Sequence, residues 1–319
     1  MAFPPNAGVS YAAALLRSGG IVAFPTETVY GLGADATCAT AVGRVFAAKG
    51  RPATNPLIVH VADAGLARRW TTAWPEAAER LAKAFWPGPL TMILPAAPEL
   101  APGVLAGGTT VGVRVPAHPL AIALLAECCL PIAAPSANRS NELSPTTADA
   151  VRESLGGAVD YVLDGGPCRV GIESTVVDLT TDPVRVLRPG MISATMLSQV
   201  LECEVLVATG RGAEAEGQRA PGQFVRHYAP KLPLELVSEG ELIDASDAFR
   251  IRIGGRLTLC PMDGLMELPD DPDLVAARLY ASLREGEKSG YRRILVSHPP
   301  EHPDWMGILD RLRRAAAPG

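Results

Sequence analysis

Helical and strand-like periods alternate along the whole 319-residue chain. Residues 11–17 read as a short helix that stops at Gly19-Gly20, a pair suited to a helix C-terminus. Residues 21–24 form a short apolar strand ended by Pro25, and residues 40–49 have helical composition up to Gly50. A buried strand is expected at 57–61, then an amphipathic helix at 76–85 broken by Trp86-Pro87-Gly88-Pro89. Strand-like runs at 90–94 and 111–115 are bounded by Pro and Gly. Next come a helix at 120–130, a short strand at 132–134, a helix at 147–155 ended by Gly156-Gly157, and a strand at 161–163. Strands at 175–179 and 185–187 precede a helix near 194–201. Several connections are too short for crossover helices, so the pattern predicts a mixed sheet with antiparallel pairs.

Residues 208–225, rich in Gly, Glu, Arg and Gln, read as a linker. After it, apolar segments at 234–237, 274–283, 294–296 and 308–314 predict a second, small α/β domain. The length suits two cores better than one. Hydrophobic residues at 48% and charged residues at 20% describe a globular protein. The net charge of −5 argues against a broad basic surface that grips nucleic acid through phosphates. Residues 1–200 carry 14 Lys and Arg against 15 Asp and Glu, and the remainder 15 against 19. An anion site must therefore be a local cluster of cations.

Cysteines 38, 128, 129, 168, 203 and 260 form no CxxC pair and no metal-ligand spacing, which fits a reducing compartment. The N-terminal MAFPPNAGVS lacks the basic and apolar regions of a signal peptide. No apolar run approaches the roughly 20 residues of a membrane span. A cytoplasmic protein with no membrane partner is the expectation.

Chemistry concentrates in Phe24-Pro25-Thr26-Glu27-Thr28-Val29-Tyr30-Gly31-Leu32-Gly33, read as a loop after a strand, followed by Lys49-Gly50-Arg51-Pro52 and Asn55-Pro56-Leu57-Ile58-Val59-His60. Lys49 and Arg51 alone could compensate a helix dipole. Arg114, inside Val-Gly-Val-Arg-Val-Pro, and Arg188, inside Val-Leu-Arg-Pro-Gly, are different. A cation among apolar strand residues needs an anionic partner, from the protein or from a ligand. Together these four could converge on a polyphosphate and a carboxylate. Ser136 and Asn138 follow one strand and Ser174 and Thr175 open another; small hydroxyls at strand ends bind ligands or cap turns. The Tyr30–Ala36 stretch fits a dinucleotide glycine pattern only loosely, and no GxxxxGK[ST] occurs. His298 and His302 stand four apart, but Pro299 and Pro300 forbid the helix that a zinc pair there requires. No Ser-His-Asp or Cys-His set assembles, which leaves catalysis by positioning and electrostatics.

These motifs, with Thr109–Pro116, Pro135-Ser136-Ala137-Asn138, Glu173–Asp178 and Leu187-Arg188-Pro189-Gly190, resemble the YrdC-like family of threonylcarbamoyl-AMP synthases in order and spacing. Pro221–Pro230 resembles the interdomain linker of the family's two-domain form, departing from it at Ala220 and Gln223, where Ser and Met are usual. The resemblance is dense over residues 10–231. It implies an α/β fold: a twisted mixed sheet flanked by helices around a concave site, plus a small Rossmann-like C-terminal domain. The implied division is a catalytic domain at 1–207, a linker or lid at 208–231 and a C-terminal domain at 232–319.

The implied reaction joins L-threonine, bicarbonate or CO2, and ATP into threonylcarbamoyl-AMP and pyrophosphate. The product feeds the tRNA threonylcarbamoyl transfer machinery; direct contact with tRNA stays open. Thr28, His60, Arg114, Ala134 and Ser174 correspond to a threonine pocket, with Arg114 on the amino-acid carboxylate. Arg51, Asn55, Thr110, Ser136, Ser144, Arg188 and Tyr228 correspond to ATP contacts. Lys49 and Arg51 with Ser136 and Asn138 complete the KxR and SxN pairs assigned to catalysis. Such a site holds several cations and almost no carboxylates. Mg2+ is implied, held mainly by phosphate oxygens and water, with no protein ligand set. Two rival roles are a carbamoyl transfer like that of hydrogenase maturation factors, whose zinc-finger-like and acylphosphatase-like segments are missing here, and an RNA-binding module, for which the chain lacks a stacking platform.

Overall fold

A computed structural model describes residues 5–208, 226–258 and 261–318. Ten strands make the first sheet: β1 (Val22–Phe24), β2 (Gly31–Asp35), β3 (Ile58–His60), β4 (Leu90–Pro95), β5 (Thr110–Arg114), β6 (Ile132–Ala133), β7 (Tyr161–Val162), β8 (Thr175–Asp178), β9 (Arg185–Arg188) and β10 (Leu206–Val207). Their order is β10-β9-β8-β4-β5-β3-β6-β2-β1-β7. The β3–β5 and β4–β8 pairs are parallel, while β4–β5, β3–β6 and β8–β9 are antiparallel, so the sheet is mixed as its short connections predict. The second sheet is parallel throughout, with β11 (Leu234–Val237), β12 (Phe249–Ile253), β13 (Leu265–Leu268) and β14 (Ile294–Ser297) in the order β11-β14-β12-β13.

The helices are α1 (Pro5–Arg17), α2 (Ala39–Lys49), α3 (Ala64–Arg69), α4 (Glu76–Phe85), α5 (Pro102–Leu105), α6 (Pro119–Cys128), α7 (Ala148–Leu155), α8 (Ala194–Leu201), α9 (Glu239–Asp244), α10 (Pro272–Lys288) and α11 (Met306–Ala315). Local chemistry sets several of their ends. Thr147, Ser193 and Asp271 cap α7, α8 and α10 with side-chain oxygens that accept from Ala150, Met196 and Leu274 N–H. Gly50 closes α2 in the left-handed region, φ 60°, and so turns Arg51 away from the helix axis.

One face of the first sheet packs Val59, Met92, Val113 and Val177 against Leu81 of α4 and Leu197 of α8. Elsewhere Val22 and Phe24 meet Leu16 of α1 and Leu125 of α6. The second sheet buries Ile251 and Val296 under Leu279 of α10 and Ile308 of α11, each such side chain contributing roughly 1.5–3 kcal/mol. That second core also takes in Val29, Leu143, Ile172 and Tyr228, which come from loops of the first unit and from the segment that joins the two. The units therefore share apolar packing.

One expectation is corrected. The glycine-bearing stretch after Pro25 is not all loop, because Gly31–Asp35 is a buried strand between β1 and β6. The glycines are there for space: a Cβ on Gly33 would lie 2.7 Å from Ile132 and 2.8 Å from Phe24. Strands β10, β12 and β13 and helices α3, α5 and α9 are additions, and α1 starts earlier than its periodicity suggests. Residues 209–225, which include Ala220 and Gln223, and residues 259–260, which include Cys260, lie outside the described residues. Residues 226–230 are described and reach the site.

Candidate active site

Three strands end on a polar residue that lines one cavity: β3 on His60, β5 on Arg114 and β9 on Arg188. Strand β8 starts directly after Ser174. The parallel register sets His60 opposite Arg114, and Arg188 pairs with Val176 at a bulge. The turn after β6 adds Ala134 and Ser136, and the C-terminus of α2 adds Arg51. With Thr28, Glu173 and Tyr228 they line one concave, partly open cavity, the usual form of a small-molecule site.

Arg114 is clamped from three sides. Its Nε donates to Gly88 O at 3.2 Å, one Nη to Thr28 Oγ1 at 3.0 Å, and the other to Glu27 Oε1 at 2.7 Å. The protein itself thus supplies the anion that a strand-borne cation demands. A guanidinium has five N–H groups, so two remain beyond these bonds. Glu27 is fixed in turn by the Ala117 N–H, 2.9 Å from its other oxygen. Arg51 has neutral partners only: its Nε and Nη donate to Asn55 O and Pro56 O at 3.4 and 3.0 Å. Burial, with Arg188 adding and Tyr228 opposing, works against its charge. Arg188 donates to Ser174 O at 3.1 Å and Ser174 Oγ at 3.2 Å, and Ser174 Oγ also meets Thr91 Oγ1 at 2.8 Å.

Among the described residues, several buried polar atoms in and beside this site have no hydrogen-bond partner: Nδ1 of His60 and the hydroxyl of Tyr228 in the cavity wall, and both amide atoms of Asn55 behind it. Leaving such a group unsatisfied costs roughly 1–3 kcal/mol, which marks the cluster as built for a ligand. Burial first, then Arg114, pulls His60 down to about 3. Burial likewise takes His227 to about 3, with Arg51, Lys49 and Arg188 adding and Glu173 opposing. Both imidazoles are neutral near pH 7. Tyr228 holds a left-handed backbone, φ 57°, unusual for a bulky residue and a form of strain that clusters at functional sites.

Of the sequence-predicted residues, Thr28, Arg51, His60, Arg114, Ala134, Ser136, Ser174, Arg188 and Tyr228 line the cavity together. Lys49, Asn55, Thr110, Asn138 and Ser144 do not. Lys49 lies behind the wall, its ammonium donating to Ser136 O and Asn138 O, and burial, then Arg51, holds its pKa well below the usual lysine range. Asn138 ties its own turn together through Arg139 O and Glu142 O, and Ser144 donates to Glu173. Thr110 opens β5, four residues from Arg114.

The expectation of almost no carboxylates fails. Glu27 braces Arg114, and Glu173 lines the cavity itself, 6% exposed. Burial opposes the Glu173 charge, but Arg311, Arg188 and the Ser144 hydrogen bond outweigh it and hold the carboxyl at about 2. Its other partners, Arg311 and Tyr280, stand on α11 and α10 of the second unit. Among the described residues no three His, Cys, Asp or Glu side chains group as a metal site. With both carboxylates engaged by arginines, these donors do not fit a protein-held Mg2+.

Residues 14–190 match the Sua5/YciO/YrdC family profile, described as telomere recombination, and residues 192–317 match the threonylcarbamoyl-AMP synthase C-terminal domain. The chain is 40% identical to the threonylcarbamoyl-AMP synthase of Pyrococcus abyssi over 97% of its own length and 94% of that protein's. It is 42% identical to the Bacillus subtilis threonylcarbamoyl-AMP synthase, over 97% and 92%. The crystal structure of P. abyssi Sua5 complexed with L-threonine superposes with a TM-score of 0.89 at 37% identity, covering 99% of this chain and 96% of that one. Full-length HypF, in a phosphate- and nucleotide-bound form, is similar to 56% of this chain but matched over only 28% of its own, with 25% identity and a TM-score of 0.51. The chain belongs to the Sua5/YciO/YrdC family, in the form that carries the threonylcarbamoyl-AMP synthase C-terminal domain.

Proposed function

We propose that this chain is a threonylcarbamoyl-AMP synthase whose cavity holds L-threonine and ATP side by side. The observation that carries this reading is the ring of strand-end cations and partnerless polar atoms around one small-molecule space, in a chain that superposes along nearly its whole length on a threonine-bound relative. HypF supports a carbamoyl-transfer role less well, because the likeness stops at one domain.

In this reading the threonine carboxylate takes the two remaining N–H groups of Arg114, which Glu27 and Thr28 hold in orientation. His60, neutral and open at Nδ1, faces the polar end of the amino acid and adds no charge there. The amine loses a proton and joins CO2 or bicarbonate-derived carbon as a carbamate. One carbamate oxygen then attacks the α-phosphate and pyrophosphate leaves. Arg51, Arg188 and Ser136 receive the phosphates, and Arg51 gains there the anionic partner it otherwise lacks. Lys49 and Asn138 shape the Ser136 turn from behind. Tyr228 closes the nucleotide side and screens a labile adenylate from water. Mg2+ would be carried by the triphosphate and water rather than by side chains of this chain, and would supply charge neutralisation at the phosphates beside Arg51 and Arg188. The product goes to a tRNA threonylcarbamoyl transferase in the cytoplasm; among the described residues no helix is long and apolar enough to cross a membrane.

The test is pyrophosphate release from ATP. It should require threonine and bicarbonate together, with threonylcarbamoyl-AMP detected by mass. ATP turnover indifferent to either addition overturns the reading.

A further inference from the structure

The second unit reaches the cavity through one buried arginine. Arg311 sits on the face of α11 that also presents Ile308, Leu312 and Ala315 to the core, and it is 1% exposed. Its Nε donates to Glu173 Oε2 at 2.8 Å, one Nη to Glu173 O at 3.2 Å, and the other to Pro189 O at 2.7 Å and the Asp310 carboxylate at 2.8 Å. Its guanidinium carbon stands 5.0 Å from the Tyr228 ring centre. From α10, the Tyr280 hydroxyl donates to Glu173 Oε2 at 3.1 Å, and its ring lies 6.1 Å from that of Tyr228. One side chain of the second unit therefore touches the residue before Ser174, the residue after Arg188 and the ring of Tyr228.

The docking that delivers it is close-fitting. A Cβ on Gly307 would lie 3.0 Å from the Gly190 backbone, and one on Gly171, at φ 82°, would lie 2.3 Å from Ala276 O. Glycines let α11 and α10 approach the two loops backbone to backbone. A buried ion pair is a poor adhesive compared with apolar packing, which this interface already has in Ile172, Trp305 and Ile308. The threonine side is braced differently. Arg114 is held within the first sheet and its loops by Glu27, Thr28 and Gly88.

We propose that Arg311 and Tyr280 are positioning residues for the nucleotide half of the cavity. Through Glu173, Pro189 and the Tyr228 ring they hold the Arg188–Tyr228 wall in its binding geometry, while Arg114 of the threonine half is braced by Glu27, Thr28 and Gly88, and of that half only Ser174, bonded by Arg188, adjoins the brace. This gives the second unit a share in ATP binding, and it rests on the assignment of Arg188 and Tyr228 to the nucleotide made above.

The test uses the full chain with Arg311→Lys and, as the milder change, Tyr280→Phe. Calorimetry gives the Kd of ATP and of threonine separately, pyrophosphate release gives KM and kcat, and thermal unfolding reports the fold. Misplaced binding groups typically lose one to two orders of magnitude, so ATP Kd and KM should rise about tenfold or more, with threonine Kd within about threefold and Tm nearly unchanged for Tyr280→Phe. Equal weakening of both ligands, or ATP binding unchanged in a folded Tyr280→Phe protein, overturns the proposal. Because both Kd values are read without turnover, a wild-type chain that binds ATP but releases no pyrophosphate would count against the reaction and leave this comparison readable.

Discussion

Two buried charge clusters lie side by side in this molecule and are finished to different degrees. Glu173 and Arg311 bond each other, and the Ser144 and Tyr280 hydroxyls, the Asp310 carboxylate and the carbonyls of Pro189, Gly307 and Glu173 close the group. In and just behind the cavity wall, among the described residues, Arg51 meets carbonyls alone, and Asn55, His60 and Tyr228 carry atoms with no partner. Both clusters lose hydration on folding. Among the described residues only the second keeps buried atoms with no hydrogen-bond partner, and that difference separates a structural brace from a binding site more cleanly than residue type does.

The contrast breaks first at Arg51. Replacement of Arg51 by Met should lower pyrophosphate release by about two to three orders of magnitude, since it removes a cation from developing phosphate charge. The same change should leave the ligand-free protein as stable as wild type or more so, because the buried charge has no counter-ion to lose. Parallel rate assays and chemical unfolding decide this. A destabilised but active Arg51→Met protein would make Arg51 part of the brace.

Arg114 stands between the two cases, with Glu27 as its counter-ion and two N–H groups to spare. Arg114→Ala should weaken threonine by roughly 2–5 kcal/mol, the range for losing one side of a buried charged contact, and ATP by far less. Threonine calorimetry on the folded variant checks it; unchanged affinity would assign Arg114 wholly to Glu27.

The brace has a pH signature. Glu173 is held at about 2, against an ordinary value of 4.5. A depressed carboxyl contributes stability above its unfolded pKa and loses it as pH falls through the folded one. The window is therefore pH 4.5 down to 2, and the contribution is about 3 kcal/mol at most. Unfolding of wild type and Glu173→Gln should differ most at neutral pH and converge toward pH 2. A gap that does not change with pH removes the ion pair from the stability of the interface.

Legibility in the sequence followed the same divide. Arg114 and Arg188 stood out because a charge inside an apolar strand is conspicuous, and both prove to be the last residue of their strands. Helices such as α4 and α8 matched their periodicity residue for residue. Glu27 and Glu173 were visible in their motifs yet received no role, since their partners lie 87 and 138 residues away. Arg311 did leave a trace: it occupies a core position of α11 in step with Ile308, Leu312 and Ala315, and a charge there calls for a distant anion. Strand β2 escaped because its glycines read as turn residues, whereas the fold uses them to fit Phe24 and Ile132.

The smallest expected effect is the sharpest test of what an unfinished cluster means. Tyr228 is 1% exposed and its hydroxyl has no partner among the described residues, while its ring packs between Arg311 and His227. Tyr228→Phe keeps the ring, its cation contact and the backbone conformation, and removes only the oxygen. If that oxygen waits for the nucleotide, the ligand-free protein should gain up to about 1 kcal/mol as a desolvated group disappears, and ATP should bind more weakly by a similar amount. Threonine affinity should not move, because the proposed assignment puts Tyr228 in the nucleotide half of the cavity. Unfolding and ATP calorimetry on the one variant give both signs at once. Loss of stability with ATP binding intact would show that the hydroxyl is bonded inside the folded protein, and the distinction between the two clusters would then rest on Arg51, Asn55 and His60 alone.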